Sequence, residues 1–419
     1  MSADNSSSMT IRLEQTQDAV RLDPVLGPGP RKEIDDRLAS IHRFFVEERA
    51  KGEKTLVRDF RLWSATHTRR EDLDLILETA RAVRERAKAV VVVGIGGSDL
   101  GARVVHEVLD APYHNELPAK ERGIDWRQRF VAVTGQNEKS ALFRLNGKEG
   151  ETPFLAMLPI QDGVGGRFSV HTEVGMLPAL VTAPDPEARL RDAVEGLRFA
   201  DDRFFRPWDD AENVAYRLAY AMHLHEVWGR RNALVFYNYS SDRALGDWFT
   251  QLLSESIQER GGGFDVLPVI GPTGNHSILN GIVRGPRNKL ALFLGWDDLG
   301  EDLRIPRDTG IGGEMAAFEG LGMAQVQRAS LTGTRDDLTA NGVPNLLLRI
   351  GKRDARHLFA LFRTLMDAIA IKGKLQYLDV SDEGVIDPSK DLTYQQYGVE
   401  GYKQRTREQA SKMQDSESE

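Results

Sequence analysis

The stretch Ala89-Val-Val-Val-Val-Gly-Ile-Gly-Gly-Ser-Asp-Leu-Gly101 decides how the rest of the chain is read. Val90 to Val93 form a continuous β-branched run, the pattern of a strand buried on both faces. Gly94, Gly96 and Gly97 follow, where a backbone without Cβ can turn sharply and approach a ligand closely. Ser98 stands where a helix should begin, and Val104, Val105 and Val108 continue at helical spacing. A strand, a glycine loop and a helix N-terminus leave N–H groups unpaired and pointing outward, which suits an anion. The loop is not the dinucleotide fingerprint, because counting G-x-G-x-x-G from Gly94 puts Asp99 at the third glycine. It is not a P-loop, because no Gly-Lys-Ser/Thr follows.

Working outward, apolar stripes predict helices over 34–48 and 66–88, immediately before the valine run. After it, strands are expected at 130–133 and 153–158. The pattern restarts at Arg231, with strands at 233–237, 266–270, 290–294 and 346–350 and helices between them. Strands alternating with helices imply doubly wound parallel sheets. The expected architecture is two α/β domains meeting near residues 200–230, closed by a helical end at 357–372 and 393–407. At 419 residues a single core is too small for the chain. A net charge of −8 argues against a nucleic-acid partner. There is no cysteine, and no stretch has the length of a membrane span. The polar, serine-rich first ten residues lack the apolar centre of a signal peptide, so a cytoplasmic protein is expected.

Four places carry candidate chemistry. In the helix around Trp248, the residues Leu245, Trp248, Phe249 and Leu252 make the apolar stripe, and Gln251 and Glu255 lie i,i+4 on its flank. A carboxylate against an apolar face is partly desolvated, the environment of a general base; an ordinary exposed glutamate is the plainer alternative. His276 follows the strand at 266–270, at the carboxyl end where open α/β sheets bind ligands, or it serves as a polar cap. Arg167, in Gly165-Gly-Arg-Phe-Ser169, is a permanent cation suited to an oxyanion or to backbone carbonyls. Gln396 and Lys403 stand seven apart on one face of a helix weakened by Gly398 and Gly401. His223 and His225 are two apart, which is not the i,i+4 spacing of a helical zinc pair, and are expected on a helix surface. Gly310 to Gly313 reads as a plain loop.

Taken in order, these pieces resemble the phosphoglucose isomerase family, particularly its bacterial branch. The matching stretches are VVVGIGGSDLG at 91–101, GGRFSVHTEVGMLPAL at 165–180, WFTQLLSESI at 248–257, NHSILNGIVRGPRNK at 275–289 and QYGVEGYK at 396–403. The resemblance implies two sugar-isomerase domains, each a doubly wound parallel sheet, with a helical C-terminal tail. On this chain they fall at 66–205 and 206–375, after an N-terminal arm and helix at 1–65 and before a tail at 376–419. It implies a homodimer with active sites at the interface, a sugar-phosphate substrate, and no metal or redox cofactor. It implies that Glu255 moves a proton between C1 and C2, that His276 and Lys403 open the sugar ring, and that Arg167 stabilises the enediolate. Gln251 and Gln396 become substrate contacts, and Gly96, Gly97 and Ser98 the sugar-phosphate loop.

The chain also departs from the family. A second phosphate loop, of the form Ser-Lys-Ser/Thr-x-x-Thr, is expected between the glycine loop and Arg167 and is missing, as if a strand and its loop were deleted after Leu109. Thr134, Gln136, Asn137 and Lys139 are the nearest replacements in sequence. Ser389-Lys390-Asp-Leu-Thr393 has a loosely similar composition but lies far along the chain. Two other readings stay open: an isomerase for another, unphosphorylated sugar, and a non-catalytic sugar-phosphate sensor.

Overall fold

The pattern that restarts after Arg231 builds the main sheet. In the computed structural model, which describes residues 9–15, 28–87, 90–94, 96–109, 128, 130–148, 152–240, 242–300, 302–378 and 386–417, five strands pair in the order β1-β7-β6-β4-β5. They are β1 (Ile11–Gln15), β4 (Ala233–Asn238), β5 (Asp265–Ile270), β6 (Lys289–Asp298) and β7 (Asn345–Lys352). The four expected strands are parallel: Ala233 is opposite both Asp265 and Lys289, and Ala291 is opposite Asn345. β1 is an unexpected addition, antiparallel to β7 with Ile11 opposite Ile350. Its alternation explains it, since Ile11 and Leu13 are buried while Arg12 between them is exposed.

Every residue of β4 is buried, as a central strand covered by helices on both faces requires. Leu234, Phe236, Leu292, Leu294, Leu346 and Leu348 cluster with α9 (Arg243–Ile257) and α12 (Ala355–Tyr377). Val235, Tyr237, Phe293 and Leu347 face the other way, toward α10 (Asn275–Val283) and α11 (Met323–Ala340). The chain leaves β4 through α9 on one face and returns from β5 through α10 on the other, so the sheet is doubly wound. Almost all of α12 is buried, including Arg363, Asp367, Lys372 and Lys374. Arg363 bonds Asp367 at 2.7 Å and Asp201 at 2.9 Å, which ties α12 to α7 (Pro186–Phe204).

The first half is built from α1 (Pro28–Ala50), α2 (Glu53–Arg58), α3 (Arg70–Arg86), α4 (Gly97–Leu109), α5 (Ala141–Asn146) and α6 (Glu173–Val181), with α7 and α8 (Val214–His223) beyond them. Its sheet differs from expectation. Among the described residues it has only β2 (Val131–Thr134) and β3 (Ala156–Pro159), parallel to each other. Val90 to Val93 form no strand: they are 48, 83, 46 and 89 % exposed. β-propensity describes fit to a sheet, and a β-branched run without neighbouring strands stays unpaired. Among the described residues β2 and β3 pair with each other and neither pairs with the valines. Residues 110–127 lie outside the described residues.

His223 and His225 are not on a surface. Both are buried, at a π-turn over Leu224–Trp228 that ends α8 and changes the helical spacing. Burial lowers His223 to about 2 and His225 to about 3, so both are neutral. Among the described residues no three His, Asp or Glu side chains group as a metal site, and no helix is long and apolar enough to cross a membrane. The helical tail, α13 (Tyr397–Glu417), runs further than expected.

Candidate active site

α9 supplies the centre of the site. Leu245, Trp248, Phe249 and Leu252 are buried as the stripe predicted, and Trp248 packs edge-on against Phe362 of α12 at 4.9 Å. The first turn is fixed from α4, where the Glu107 carboxylate accepts from the Ala244 N–H at 2.7 Å. Arg353 clamps the same corner, donating to the Glu107 carbonyl and to Asp242. α9 therefore cannot turn about its axis, and Gln251 and Glu255 are held toward α4 and the glycine loop.

The glycine loop packs against protein. Gly96 has φ +58, and a Cβ there would stand 3.0 Å from the Gln251 amide nitrogen. A Cβ on Gly97 would stand 2.1 Å from the carbonyl carbon of Gly166. Ser169 in the same turn donates to the Gly97 carbonyl at 3.4 Å. The glycine at 97 is thus needed for backbone to meet backbone, where the sequence pattern suggested the approach of a ligand. Ser98, one residue into α4, is exposed.

That contact delivers Arg167. Its side chain is 1 % exposed and holds four partners. Nε donates to Ser256 Oγ at 2.8 Å. Nη2 donates to the carbonyls of Thr393 and Gln395 at 2.6 and 3.1 Å. Nη1 stands 3.4 Å from Glu255 Oε2. Burial lowers the Arg167 pKa from its ordinary value, and the Glu255 charge is the main influence opposing that. Glu255 is 26 % exposed and bridges two amides: Gln251 Nε2 donates to Oε1 at 3.3 Å and Gln396 Nε2 to Oε2 at 3.2 Å.

Gly96, Gly97, Arg167, Gln251, Glu255 and Gln396 are therefore brought together from four distant parts of the chain. His276 is not. It is exposed in the first turn of α10, on the sheet face opposite α9. Lys403 is partly exposed on α13. Two participants were missed. Ser256 carried no signal beyond its place after Glu255. The segment 391–395, which passes over Arg167, overlaps the Ser389–Thr393 stretch that was set aside for its distance along the chain. Of the candidate phosphate replacements, Thr134 bonds Ser140 at 2.7 Å and the Asn137 side chain accepts from the Lys139 N–H. Gln136 and Lys139 are exposed.

A part-exposed carboxylate facing a buried guanidinium, flanked by two amides, thus sits on a doubly wound α/β frame. The known proteins that the chain resembles are more particular. A glucose-6-phosphate isomerase of Rubrobacter xylanophilus is 29 % identical over 397 residues, covering 80 % of this chain and 88 % of the relative. A probable glucose-6-phosphate isomerase of Haloarcula marismortui is 26 % identical over 88 % of this chain and 90 % of its own. Along most of its length the chain is similar to glucose-6-phosphate isomerases. No protein-family model matches it. Among solved structures, a hypothetical protein from Thermus thermophilus shares the fold with a TM-score of 0.75 at 23 % identity, covering 96 % of this chain and all (100 %) of that one. A Chlamydia trachomatis glucose-6-phosphate isomerase shares it with a TM-score of 0.64 at 17 % identity, over 84 % of this chain and 74 % of that one.

Proposed function

We propose that the protein interconverts glucose 6-phosphate and fructose 6-phosphate through an enediolate. The observation that carries this reading is the Glu255–Arg167 pair, a part-exposed carboxylate beside a buried cation whose other nitrogens are already bonded. Glu255 takes the C2 proton of the open-chain aldose. The electron pair forms the C1–C2 double bond and negative charge gathers on O1, where Nη1 of Arg167 stabilises it. The protonated Glu255 then returns its proton to C1 as the O2 hydroxyl proton passes to O1, leaving the ketone. Gln251 and Gln396 orient Glu255 and contact the substrate. The first-turn N–H groups of α4, at Gly97 and Ser98, receive the phosphate.

His276 and Lys403 open the ring. Because His276 lies on the far face of the sheet, a second copy supplies it, and the working unit is a homodimer with sites at its interface. The reaction needs no metal or redox cofactor, and the protein acts in the cytoplasm.

A coupled assay with fructose 6-phosphate, free fructose and mannose 6-phosphate tests the reading. Turnover of fructose 6-phosphate alone supports it. Turnover of free fructose favours the second reading, an isomerase of unphosphorylated sugar, which the missing phosphate loop motivates. Silence on all three refutes both.

A further inference from the structure

Arg167 is aimed by something that lies outside the reacting group. Two of its contacts are main-chain carbonyls, those of Thr393 and Gln395. Carbonyls can direct a guanidinium only if the backbone carrying them is itself held. Gln396, one residue further, donates to Glu255. The segment 391–396 therefore touches both members of the Glu255–Arg167 pair, and its anchorage sets their relation.

The anchor is a buried ion pair. Lys374, on the last turns of α12, is 2 % exposed, and its Nζ stands 2.7 Å from Asp391 Oδ2. The other carboxylate oxygen, Oδ1, accepts from the Thr393 N–H at 3.0 Å and from the Thr393 hydroxyl. Thr393 is fully buried and seated on a glycine: a Cβ at Gly373 would lie 1.8 Å from its hydroxyl oxygen. Tyr394 closes the segment from the other side, with its ring 5.1 Å from that of Phe168, next to Arg167. The chain of contacts runs from Lys374 to Asp391, to Thr393, and through the Thr393 carbonyl to Arg167.

We propose that Lys374 and Asp391 are positioning residues for the reaction, holding the 391–396 segment so that Arg167 presents Nη1, and Gln396 its amide, to Glu255. A buried pair of this kind is a poor source of stability but a good way to specify one arrangement, because either charge left alone is costly and only one placement satisfies both. Their effect on Glu255 passes through Arg167 and Gln396. This inference rests on the isomerase reading for its catalytic consequence, and on geometry alone for its structural one.

The test uses the full chain. Asp391→Asn keeps an acceptor for Thr393 and removes the charge attraction. Lys374→Met combined with Asp391→Asn removes both charges, so that a variant without an uncompensated ion is available if the single one folds poorly. The expected result is a fall in kcat for fructose 6-phosphate on the order of 10–100-fold, the scale of a small misplacement of catalytic groups, with KM changed far less. The Nε–H resonance of Arg167, seen by nitrogen-15 NMR and assigned by its loss in Arg167→Lys, shifts in both variants. A lowered melting temperature with kcat and the Arg167 resonance unchanged in a folded variant overturns the proposal and leaves the pair a packing feature. If the unaltered protein has no activity on fructose 6-phosphate, the isomerase reading fails, and the Arg167 resonance still decides the positioning role: movement supports it, and no movement overturns it.

Discussion

A Cβ at Gly97 would stand 2.1 Å from the carbonyl carbon of Gly166 and 2.5 Å from the nitrogen of Arg167. The start of α4 and the turn that carries the buried arginine are therefore in backbone contact. All the nearest atoms are main chain, so no side-chain rotation relieves the clash. Gly97→Ala is expected to push the two segments apart, with a stability loss of about 1–3 kcal/mol as for other overpacked sites. Activity should fall more than stability accounts for, because Arg167 moves with its turn. Thermal melts beside kcat at a temperature where the variant is folded separate the two effects.

Glu255→Gln replaces a group that can accept a proton with one that cannot, at nearly the same shape. The turnover of fructose 6-phosphate should drop by roughly 10²–10⁴, the range for loss of a positioned acid–base group. Exchange of the substrate's C1 and C2 hydrogens with deuterated solvent should drop with it. Retained turnover in this variant would sink the assigned mechanism.

The placement of His276 on the sheet face opposite α9 makes a composite site testable by mixing. His276→Ala and Glu255→Gln homodimers should each be inactive. Mixed and exchanged, they form heterodimers in which one site keeps both residues, restoring roughly a quarter of the activity if subunits of a two-fold dimer assort at random. Activity that does not return on exchange would place His276 and Glu255 in the same subunit or outside the reaction.

Glu173, at the start of α6, is 3 % exposed, and burial pushes its carboxyl up to about 7 from 4.5, with Asp72 adding to the rise. A pKa higher in the folded than in the unfolded state means that the folded protein binds the proton more tightly. The stabilisation is complete below pH 4.5 and is lost as pH rises through 7. Glu173→Gln removes this dependence. Its stability relative to the unaltered protein should improve between pH 5 and pH 8 by on the order of 2–3 kcal/mol. Burial takes His171 to about 3, a change with the opposite sign, but that group is common to both proteins and leaves the difference untouched. A gap in melting temperature that stays constant across this range would contradict the assignment.

The parallel strands of the second sheet were legible because each is a local pattern: an unbroken apolar run between helices of the right length. The position of Glu255 and Gln251 was legible for the same reason, since i,i+4 spacing on an amphipathic helix determines which side chains are neighbours. The two exceptions are informative. β1 is too short to stand out, and its pairing with β7 joins residues far apart in sequence. Val90 to Val93 have the composition of a strand, yet a strand is a relation between segments, and among the described residues none pairs with this run.

By itself the sequence determined which segments are helices, which runs could enter a sheet, and which side chains had the chemistry for proton transfer beside a cation. Those properties depend on spacing within a few residues. Only the tertiary structure decided that Gly97 meets Gly166, that Ser389 to Gln396 is an anchored segment over Arg167, and that His276 stands apart from Glu255. These relations come from contacts between distant parts of the chain. A residue's local pattern carries no information about what the fold will set against it.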